Sequence, residues 1–208
     1  ISENGDYGSS KGIDLTLKFR GRAFGSQLQY TYSIAKNNSE YPWANVSGQY
    51  VDAPSQESLQ FYDRPHDITF WFYTGLPFGI KAAVTAFYQS GGPYTPLIFA
   101  GKDPQIDAKN PNSKRGPAYR NANLNFSKYV KIMDHKISLG LSVYNLIDIR
   151  NEIDVYPLTG KAGDPGAYYT EDVGLADSEH YLSSAYYDRP WRFSQPREIN
   201  FNVRFDFD

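Results

Sequence analysis

The chain has 208 residues, no cysteine and a formal net charge of −2. This composition excludes a disulfide framework and cysteine-based metal or redox sites, and it gives no electrostatic preference for nucleic acid as a partner. Aromatic residues make up 16% of the sequence, with 18 Tyr and 13 Phe, a content typical of carbohydrate-binding β-sandwiches and of membrane β-barrels with aromatic girdles. No stretch approaches the run of about 18 apolar residues that a membrane-spanning helix requires.

Alternation of apolar and polar residues with a period of two predicts seven strands. In chain order, they cover residues 12–20, 24–34, 67–75, 79–89, 121–131, 136–146 and 197–208. In the first strand, every second residue from Ile13 to Phe19 is apolar, and the residues between them are polar. The third strand differs, because Trp71 and Tyr73 make its second face aromatic as well.

The connections between these strands alternate between short and long. Tight turns are predicted near Gly21, at the segment LPFG and at the segment MDH, whereas residues 36–66, 90–119 and 148–195 form long loops without evident regular structure. Short turns at one end and long loops at the other are typical of an outer-membrane barrel, and strands of about 9–11 residues cross a bilayer at a tilt. We therefore predict an all-β, antiparallel transmembrane β-barrel; a soluble jelly roll is the alternative.

The tetrapeptide Tyr-Asp-Arg-Pro occurs twice, each time where a long loop leads into a strand. The first copy is Tyr62, Asp63, Arg64 and Pro65, and the second is Tyr187, Asp188, Arg189 and Pro190. The tyrosine suits the headgroup level of a membrane, the two charges can pair with each other or hold loop carbonyls, and the proline stops sheet pairing. We predict that both copies are structural loop–strand junctions. Chance recurrence of a Tyr-rich turn is the alternative.

Several segments, taken in order, resemble the C-terminal barrel of TonB-dependent outer-membrane receptors. YDRPHDITF and FYQSGGPYTP are similar to a late hairpin and its outer loop, and NANLNFSKYVKI with HKISLGLSVYNLIDIRN is similar to the penultimate hairpin. PREINFNVRFDF resembles the closing strand and its signal for the barrel-insertion machinery, here Asn200, Phe205 and Phe207. Asn202 replaces the glycine common in the family, and Asp208 follows the last phenylalanine.

The resemblance implies a receptor barrel of about twenty-two strands around a plug. We expect residues 1–208 to be the C-terminal portion of that barrel, with about seven strands, short periplasmic turns and long extracellular loops, and with the plug domain not in this chain. The implied location is the bacterial outer membrane. The implied partners are outer-membrane lipid, the remaining strands and plug of the same receptor, a TonB-type energy-coupling protein acting through that plug, and the barrel-insertion machinery.

The resemblance also implies TonB-dependent uptake of a scarce nutrient, with siderophore, cobalamin, glycan and peptide all open as the ligand class. Two other functions remain as alternatives. One is a plug-less structural or interaction barrel in an outer-membrane complex, and the other is a soluble, aromatic-rich sandwich that binds or cleaves glycans.

The residues that carry chemistry favour ligand binding over catalysis. The three histidines, at positions 66, 135 and 180, share no metal-ligand spacing, and the sequence contains no GxSxG, HExxH or P-loop motif. We therefore expect no enzyme activity, no cofactor and no zinc site. Acidic residues of the last loop are weak Ca²⁺ candidates; they are Glu171, Asp172, Asp177 and Glu179.

Aromatic residues of the long loops are the ligand-binding candidates. They lie beside Asn, Asp and Arg, so their rings can stack on a ligand while the polar groups orient it. Packing of the loops against each other explains the same residues equally well. The candidates are Tyr41, Trp43, Tyr94, Tyr168 and Tyr169.

Overall fold

A computed structural model of the chain describes residues 8–38, 57–99, 101–132, 135–170 and 184–206. The strands are β1 (Gly8–Arg20), β2 (Phe24–Asn37), β3 (Ser58–Leu59), β4 (His66–Leu76), β5 (Ile80–Gln89), β6 (Pro93–Tyr94), β7 (Leu97–Phe99), β8 (Pro104–Ile106), β9 (Lys114–Arg115), β10 (Tyr119–Ile132), β11 (His135–Tyr144) and β12 (Glu198–Asp206). Two short helices, α1 (Ala167–Thr170) and α2 (Ser184–Tyr187), and two 3₁₀ turns, Pro77–Gly79 and Pro190–Arg192, lie between strands. No helix among these residues is long and apolar enough to span a membrane.

Seven long strands form one antiparallel sheet in the order β1-β2-β4-β5-β10-β11-β12, and the short β3 pairs with β2. Each long strand pairs with the long strand that precedes it in the chain, so the sheet is a meander. This confirms the predicted all-β, antiparallel architecture and the seven strands, each within a few residues of its expected bounds. The sheet is open over the residues described, with β1 and β12 at its two edges. The sequential order does not match a jelly roll, whose strands cross between two sheets.

The short connections lie where the sequence predicts them. Arg20 pairs with Gly25 across the first turn and Leu76 pairs with Ile80 across the second. In the second turn, Phe78 has a φ of 64° and Gly79 a φ of 72°. A left-handed conformation suits glycine but costs a phenylalanine free energy, so this turn is tight enough to hold Phe78 in a strained backbone conformation.

The register places most apolar strand residues on one face of the sheet, and the exceptions on the other face include Trp71, Tyr73 and Phe87. One row across all seven strands consists of Phe19, Ser26, Phe72, Val84, Leu124, Val143 and Ile199. The adjacent row, on the opposite face, consists of Arg20, Gly25, Tyr73, Ala83, Asn125, Ser142 and Asn200. Because successive side chains of a strand point to opposite faces, the sheet has one apolar face and one predominantly polar face.

The apolar face is not covered by any other described part of the chain. Ile13 is 70% exposed at one edge and Phe201 is 69% exposed at the other. Among the described residues, the buried apolar side chains apart from three prolines of the long loops are Ala35, Val143, Ala162 and Tyr187. A water-soluble sheet of this size would bury its apolar face against a second layer, and no such layer is present in the described part of the chain.

The long connections contain more regular structure than the sequence predicts. Strands β6 and β9 pair with each other, and β7 pairs with β8, inside the loop that joins β5 to β10. The loop from β11 to β12 contains α1, α2 and the 3₁₀ turn that begins at Pro190. The expectation that these two loops lack regular structure is therefore wrong. Their strands have two or three residues, too few for alternation to be recognised.

Candidate functional site

Asp63 of the first Tyr-Asp-Arg-Pro copy is a buried anchor at the long-loop end of the sheet. Its side chain is fully buried, and it forms an ion pair with Arg115 of β9. Its second oxygen, Oδ1, accepts a hydrogen bond of 2.6 Å from the backbone N–H of Ala35 in β2. One carboxylate thus holds the loop before β4 to a sheet strand and to the neighbouring loop.

Arg64 fixes the backbone of the same junction. Its Nη1 donates to the carbonyl of Phe61 at 3.2 Å and to the carbonyl of Asp63 at 3.1 Å. Burial lowers the pKa of Arg64, nearby Arg115 lowers it further, and Asp63 opposes both effects. Of the two roles expected for the charged pair, the structure supports carbonyl binding by Arg64, whereas the ion-pair partner of Asp63 is Arg115.

The guanidinium of Arg64 lies directly over Gly92. A Cβ at Gly92 would be 2.6 Å from Nη1 of Arg64, and a Cβ at Gly91 would overlap the carbonyl oxygen of Gly116. The two glycines therefore permit a close approach between the first junction, the loop after β5 and the segment before β10.

A cleft of about 710 Å³ opens beside this junction. Its walls come from three long loops, and the residues relevant to binding are Arg64, Gln89, Tyr94, Asn112, Glu152 and Asp154. Burial raises the pKa of Tyr94. A guanidinium, a phenol, two amides and two carboxylates around an aromatic and proline-lined cavity provide both stacking surfaces and hydrogen-bonding groups for a polar ligand.

Two asparagines hold the third long loop against the sheet. The side chain of Asn151 accepts a hydrogen bond of 2.8 Å from the N–H of Arg120 and donates one of 2.7 Å to the carbonyl of Arg120. Its amide thus forms the two hydrogen bonds that the backbone of a neighbouring strand residue would form. Asn145 is also buried; its Nδ2 donates to the carbonyls of Ile149 and Gln195, both at 3.0 Å. These contacts position the Glu152 and Asp154 wall of the cleft.

The second Tyr-Asp-Arg-Pro copy has a different environment. Asp188 pairs with Arg150 through two bonds of 2.7 and 3.3 Å, but both side chains are about half exposed. The guanidinium of Arg189 stacks at 4.0 Å on the ring of Tyr186, and Pro190 begins a 3₁₀ turn before β12. Both copies therefore pair their aspartate with an arginine from another part of the chain.

The two junction tyrosines also differ. Tyr62 is 58% exposed, whereas Tyr187 is 9% exposed. Tyr187 packs in a ring cluster with Tyr156, Tyr169 and Tyr186. The headgroup-level placement expected for both tyrosines is therefore wrong for Tyr187, because loop side chains surround its ring.

Three of the five aromatic ligand candidates are among the described residues, and the structure does not bring them all to one site. Tyr94 lines the cleft. The hydroxyl of Tyr168 donates to Asp103 at 2.7 Å and its ring meets Phe99, and Tyr169 belongs to the cluster around Tyr187, so these two side chains pack loops together. Tyr41 and Trp43 lie outside the described residues, as do the Ca²⁺ candidates Glu171, Asp172, Asp177 and Glu179.

The residues of the expected insertion signal lie on both faces of β12. Phe205 is on the apolar face and 55% exposed, Asn200 is on the polar face and donates to Glu198 at 2.9 Å, and Phe207 lies outside the described residues. Asn202 packs directly over Gly140 of β11, leaving no room for a Cβ there.

Sequence reasoning did not identify Arg115, Asn145, Asn151 or Glu152, although all four build or line the cleft. The only local signal is that Asn145 and Asn151 bracket the segment Asn-Leu-Ile-Asp-Ile-Arg-Asn directly after a strand, where amide side chains often hydrogen-bond nearby backbone. The arginine that pairs with Asp63 is 52 residues away in the chain, and no sequence spacing indicates that contact.

The fold and cleft define an antiparallel β-sheet protein with one uncovered apolar face and a polar cavity among its long loops. Comparison of the chain with protein-family models, curated proteins and solved structures finds no match. Among the described residues, no group of three or more His, Cys, Asp or Glu side chains is placed to hold a metal ion.

Proposed function

We propose that this chain is the C-terminal portion of the barrel of an outer-membrane receptor that takes up a scarce nutrient with energy from a TonB-type partner. The observation that carries the proposal is the uncovered apolar face of the seven-stranded sheet. An apolar face of this extent is unfavourable in water, and lipid is a covering that requires no second protein layer.

Strand length and charge placement support lipid as that covering. The seven long strands have 9 to 14 residues, and about 9–11 suffice to cross a bilayer. On the apolar face, Lys11, Lys36 and Arg120 lie towards the long-loop ends of their strands, and Lys128 pairs with the first residue of β5, level with the turn at Pro77. Charged side chains near the margins can extend into the headgroup layer.

The cleft supports a receptor over a purely structural barrel. A cavity of about 710 Å³ that contains Arg64, Tyr94 and Glu152 lies at the long-loop end, which faces outward in the proposed orientation. Its size is within the range of small-molecule binding sites, about 300–1,000 Å³. A structural barrel has no requirement for such a cavity.

Membrane placement is tested by spin labels at adjacent positions on opposite faces. Residues 1–208 contain no cysteine. Single cysteines are introduced at Leu28 and Phe70 on the apolar face and at Gln27 and Trp71 on the polar face, any cysteine outside these residues is replaced by serine, and the intact protein is labelled in lipid vesicles. We expect high oxygen accessibility at Leu28 and Phe70, and high accessibility to a water-soluble nickel chelate at Gln27 and Trp71. Equal accessibility to the nickel chelate on both faces would refute the proposal.

The receptor role is tested by growth of the source bacterium when a ferric siderophore, cobalamin, an oligosaccharide or a peptide is limiting. We expect Tyr94→Ala to impair growth on one of these nutrients. The matched control is Tyr62→Ala, a tyrosine outside the cleft that is 58% exposed. Normal growth of the Tyr94 variant on all four would remove the cleft from the proposal.

A further inference from the structure

The guanidinium of Arg64 lines the cleft with one of its edges unused. Its Nη1 donates to the carbonyls of Phe61 and Asp63, whereas Nη2 and Nε have no hydrogen-bond acceptor within the residues described. A Cβ at Gly92 would lie 2.6 Å from Nη1, 2.7 Å from Nη2 and 2.8 Å from Cζ, so one flat side of the guanidinium rests on this glycine. The group is thus held in place, and its Nη2–Nε edge remains available to a ligand.

The positive charge of Arg64 is not neutralised at the junction. The carboxylate of Asp63 forms its ion pair with Arg115, and no ion pair in the described part of the chain includes Arg64. Two guanidinium groups therefore share one carboxylate, which leaves a charge of +1. Burial lowers the pKa of Arg64 and the charge of Arg115 lowers it further, and an anion in contact with the guanidinium would oppose both effects.

The other carboxylates around the cleft are engaged elsewhere. Asp154 forms an ion pair with Arg192, with 2.9 Å between Oδ2 and Nη1. Oε2 of Glu152 accepts a hydrogen bond from a backbone N–H of the third long loop, and Asp67 accepts one of 2.5 Å from a glutamine side chain. Only Oε1 of Glu152 is left in this pair of interactions, and it can accept a hydrogen bond from a hydroxyl or amide of a ligand.

Tyr94 contributes a second donor without a partner. Its hydroxyl lies against Gly160 of the third long loop, where a side chain would leave no room for it. The hydroxyl has no hydrogen-bond partner among the residues that the structure describes. Burial raises the pKa of Tyr94 above its ordinary value of 10.0, so the phenol keeps its proton at neutral pH and can donate it to an acceptor in the cleft.

We propose that the ligand of the cleft carries a carboxylate, which the Nη2–Nε edge of Arg64 binds through two hydrogen bonds, with Tyr94 as a further donor to the same ligand. The two parallel N–H groups of a guanidinium edge match the two oxygens of a carboxylate. This inference rests on the proposed function and narrows the nutrient to a carboxylate-bearing molecule. Peptides with a free C-terminus and glycans with uronic acids contain that group, whereas neutral oligosaccharides lack it.

Matched pairs of probes test the proposal by calorimetric titration of the intact protein in detergent. The acids are trigalacturonate and N-acetyl-trialanine, and the neutral counterparts are the methyl ester of the first and the C-terminal amide of the second. We expect one acid to bind about tenfold more tightly than its neutral counterpart, the lower end of the effect of a hydrogen bond to a charged group. The pair that shows this difference identifies the source of the carboxylate.

Three variants assign the difference to Arg64. Arg64→Gln should lower the affinity for the acid to that for the neutral counterpart, and Arg64→Lys should restore part of it, because lysine keeps the charge without the paired donors. The matched control is Lys114→Gln, which removes a positive charge from the exposed side chain beside Arg115 in β9. Because Lys114 does not line the cleft, the affinities should not change.

Tyr94→Phe gives an independent measurement that leaves the junction of Arg64 intact. It removes only the hydroxyl and should weaken binding of the acid about fivefold, the effect of one neutral hydrogen bond. Thermal unfolding of each variant separates a binding defect from a folding defect.

Two results would overturn the assignment of the ligand class. They are equal affinities of both acids and their neutral counterparts, and a preference for the acid that survives in Arg64→Gln. Spin-label accessibility and growth of the Tyr94→Ala variant report on the proposed function separately. Impaired growth with equal affinities would remove the carboxylate and leave the receptor, whereas acid preference with equal accessibility of both sheet faces would remove the membrane placement and leave the ligand class.

Discussion

The two aspartates of the repeated tetrapeptide allow a controlled test of what burial contributes to a loop anchor. Asp63 and Asp188 have the same sequence neighbours and each pairs with one distant arginine. The side chain of Asp63 has 0% relative exposure and that of Asp188 has 45%. Replacing either by asparagine removes the charge with almost no change in volume, so the difference between the two variants isolates the environment.

The magnitude for Asp63 follows from its contacts. Asparagine retains an oxygen that can accept from the N–H of Ala35, so Asp63→Asn loses mainly the ion pair with Arg115. Arg115 keeps two carbonyl acceptors, at Asp63 and Gly91, so its charge is not left without partners. We therefore expect a loss of about 1.5–3 kcal/mol, the range for a hydrogen bond to a charged group. Asp63→Ala leaves the N–H of Ala35 unpaired as well, and the loss should rise to about 3–5 kcal/mol.

Asp188→Asn should cost at most about 1 kcal/mol, because exposed ion pairs contribute about 0.2–1 kcal/mol. The assay is urea unfolding of the detergent-folded protein, followed by tryptophan fluorescence, with hydrogen exchange of the Ala35 amide as a local probe. Exchange at Ala35 should accelerate in Asp63→Ala, which removes the acceptor of its N–H, and remain unchanged in Asp188→Asn. Equal losses of stability at the two sites, or unchanged exchange at Ala35 in Asp63→Ala, would refute the assignment of Asp63 as a buried anchor.

Three further predictions test the sheet faces, the loop contacts and the cleft. Leu28→Arg should destabilise the protein folded in lipid by about 2–4 kcal/mol if it lies near the bilayer midplane, whereas Gln27→Arg, one residue away on the polar face, should change the unfolding midpoint little. Gly91→Ala should lower the melting temperature, because the new Cβ would overlap a backbone oxygen, whereas Gly75→Ala, with no atom within 4 Å of the added carbon, should not. Tyrosine ionisation can be followed by absorbance at 295 nm in a pH titration. The difference between the wild type and Tyr94→Phe should correspond to one phenol whose pKa lies above the ordinary value of 10.0. The unfolded chain releases the proton of the Tyr94 phenol at lower pH than the folded chain does. The free energy of unfolding of the wild type should therefore fall relative to that of Tyr94→Phe as the pH rises above 10.0.

The sheet was predictable from the sequence because each strand carries its own alternation and each tight turn its own signal. Phe19 and Arg20 are assigned to opposite faces by their neighbours alone, and the observed register agrees. The partners of the tetrapeptides were not predictable in this way. Arg115 meets Asp63 across 52 residues and Arg150 meets Asp188 across 38, and these contacts depend on the three-dimensional paths of two loops.

The tyrosines mark a second limit of sequence reasoning. Tyr62 and Tyr187 have the same three following residues, yet one ring is exposed and the other is surrounded by loop side chains. The amphipathic character of tyrosine suits both a membrane interface and a loop core with a hydrogen bond for the hydroxyl. The residue type therefore indicates a mixed environment, and only the loop path determines which of the two it is.

The distribution of buried residues explains why substitutions of buried polar residues should lower stability the most at the long-loop end of the sheet. Because most apolar side chains of the strands lie on the uncovered face of the sheet, few remain to form a core beneath the long loops. Six of the buried residues in the described part of the chain have polar side chains; they are Ser58, Gln60, Asp63, Ser90, Asn145 and Asn151. Each buried polar group that loses its partner costs about 1–3 kcal/mol, so the shape of the cleft depends on Asp63, Asn145 and Asn151 more than on hydrophobic packing. The candidate ligand site and the structure that supports it are therefore expected to be sensitive to the same class of substitution, and binding defects in these residues must be separated from folding defects by measuring both.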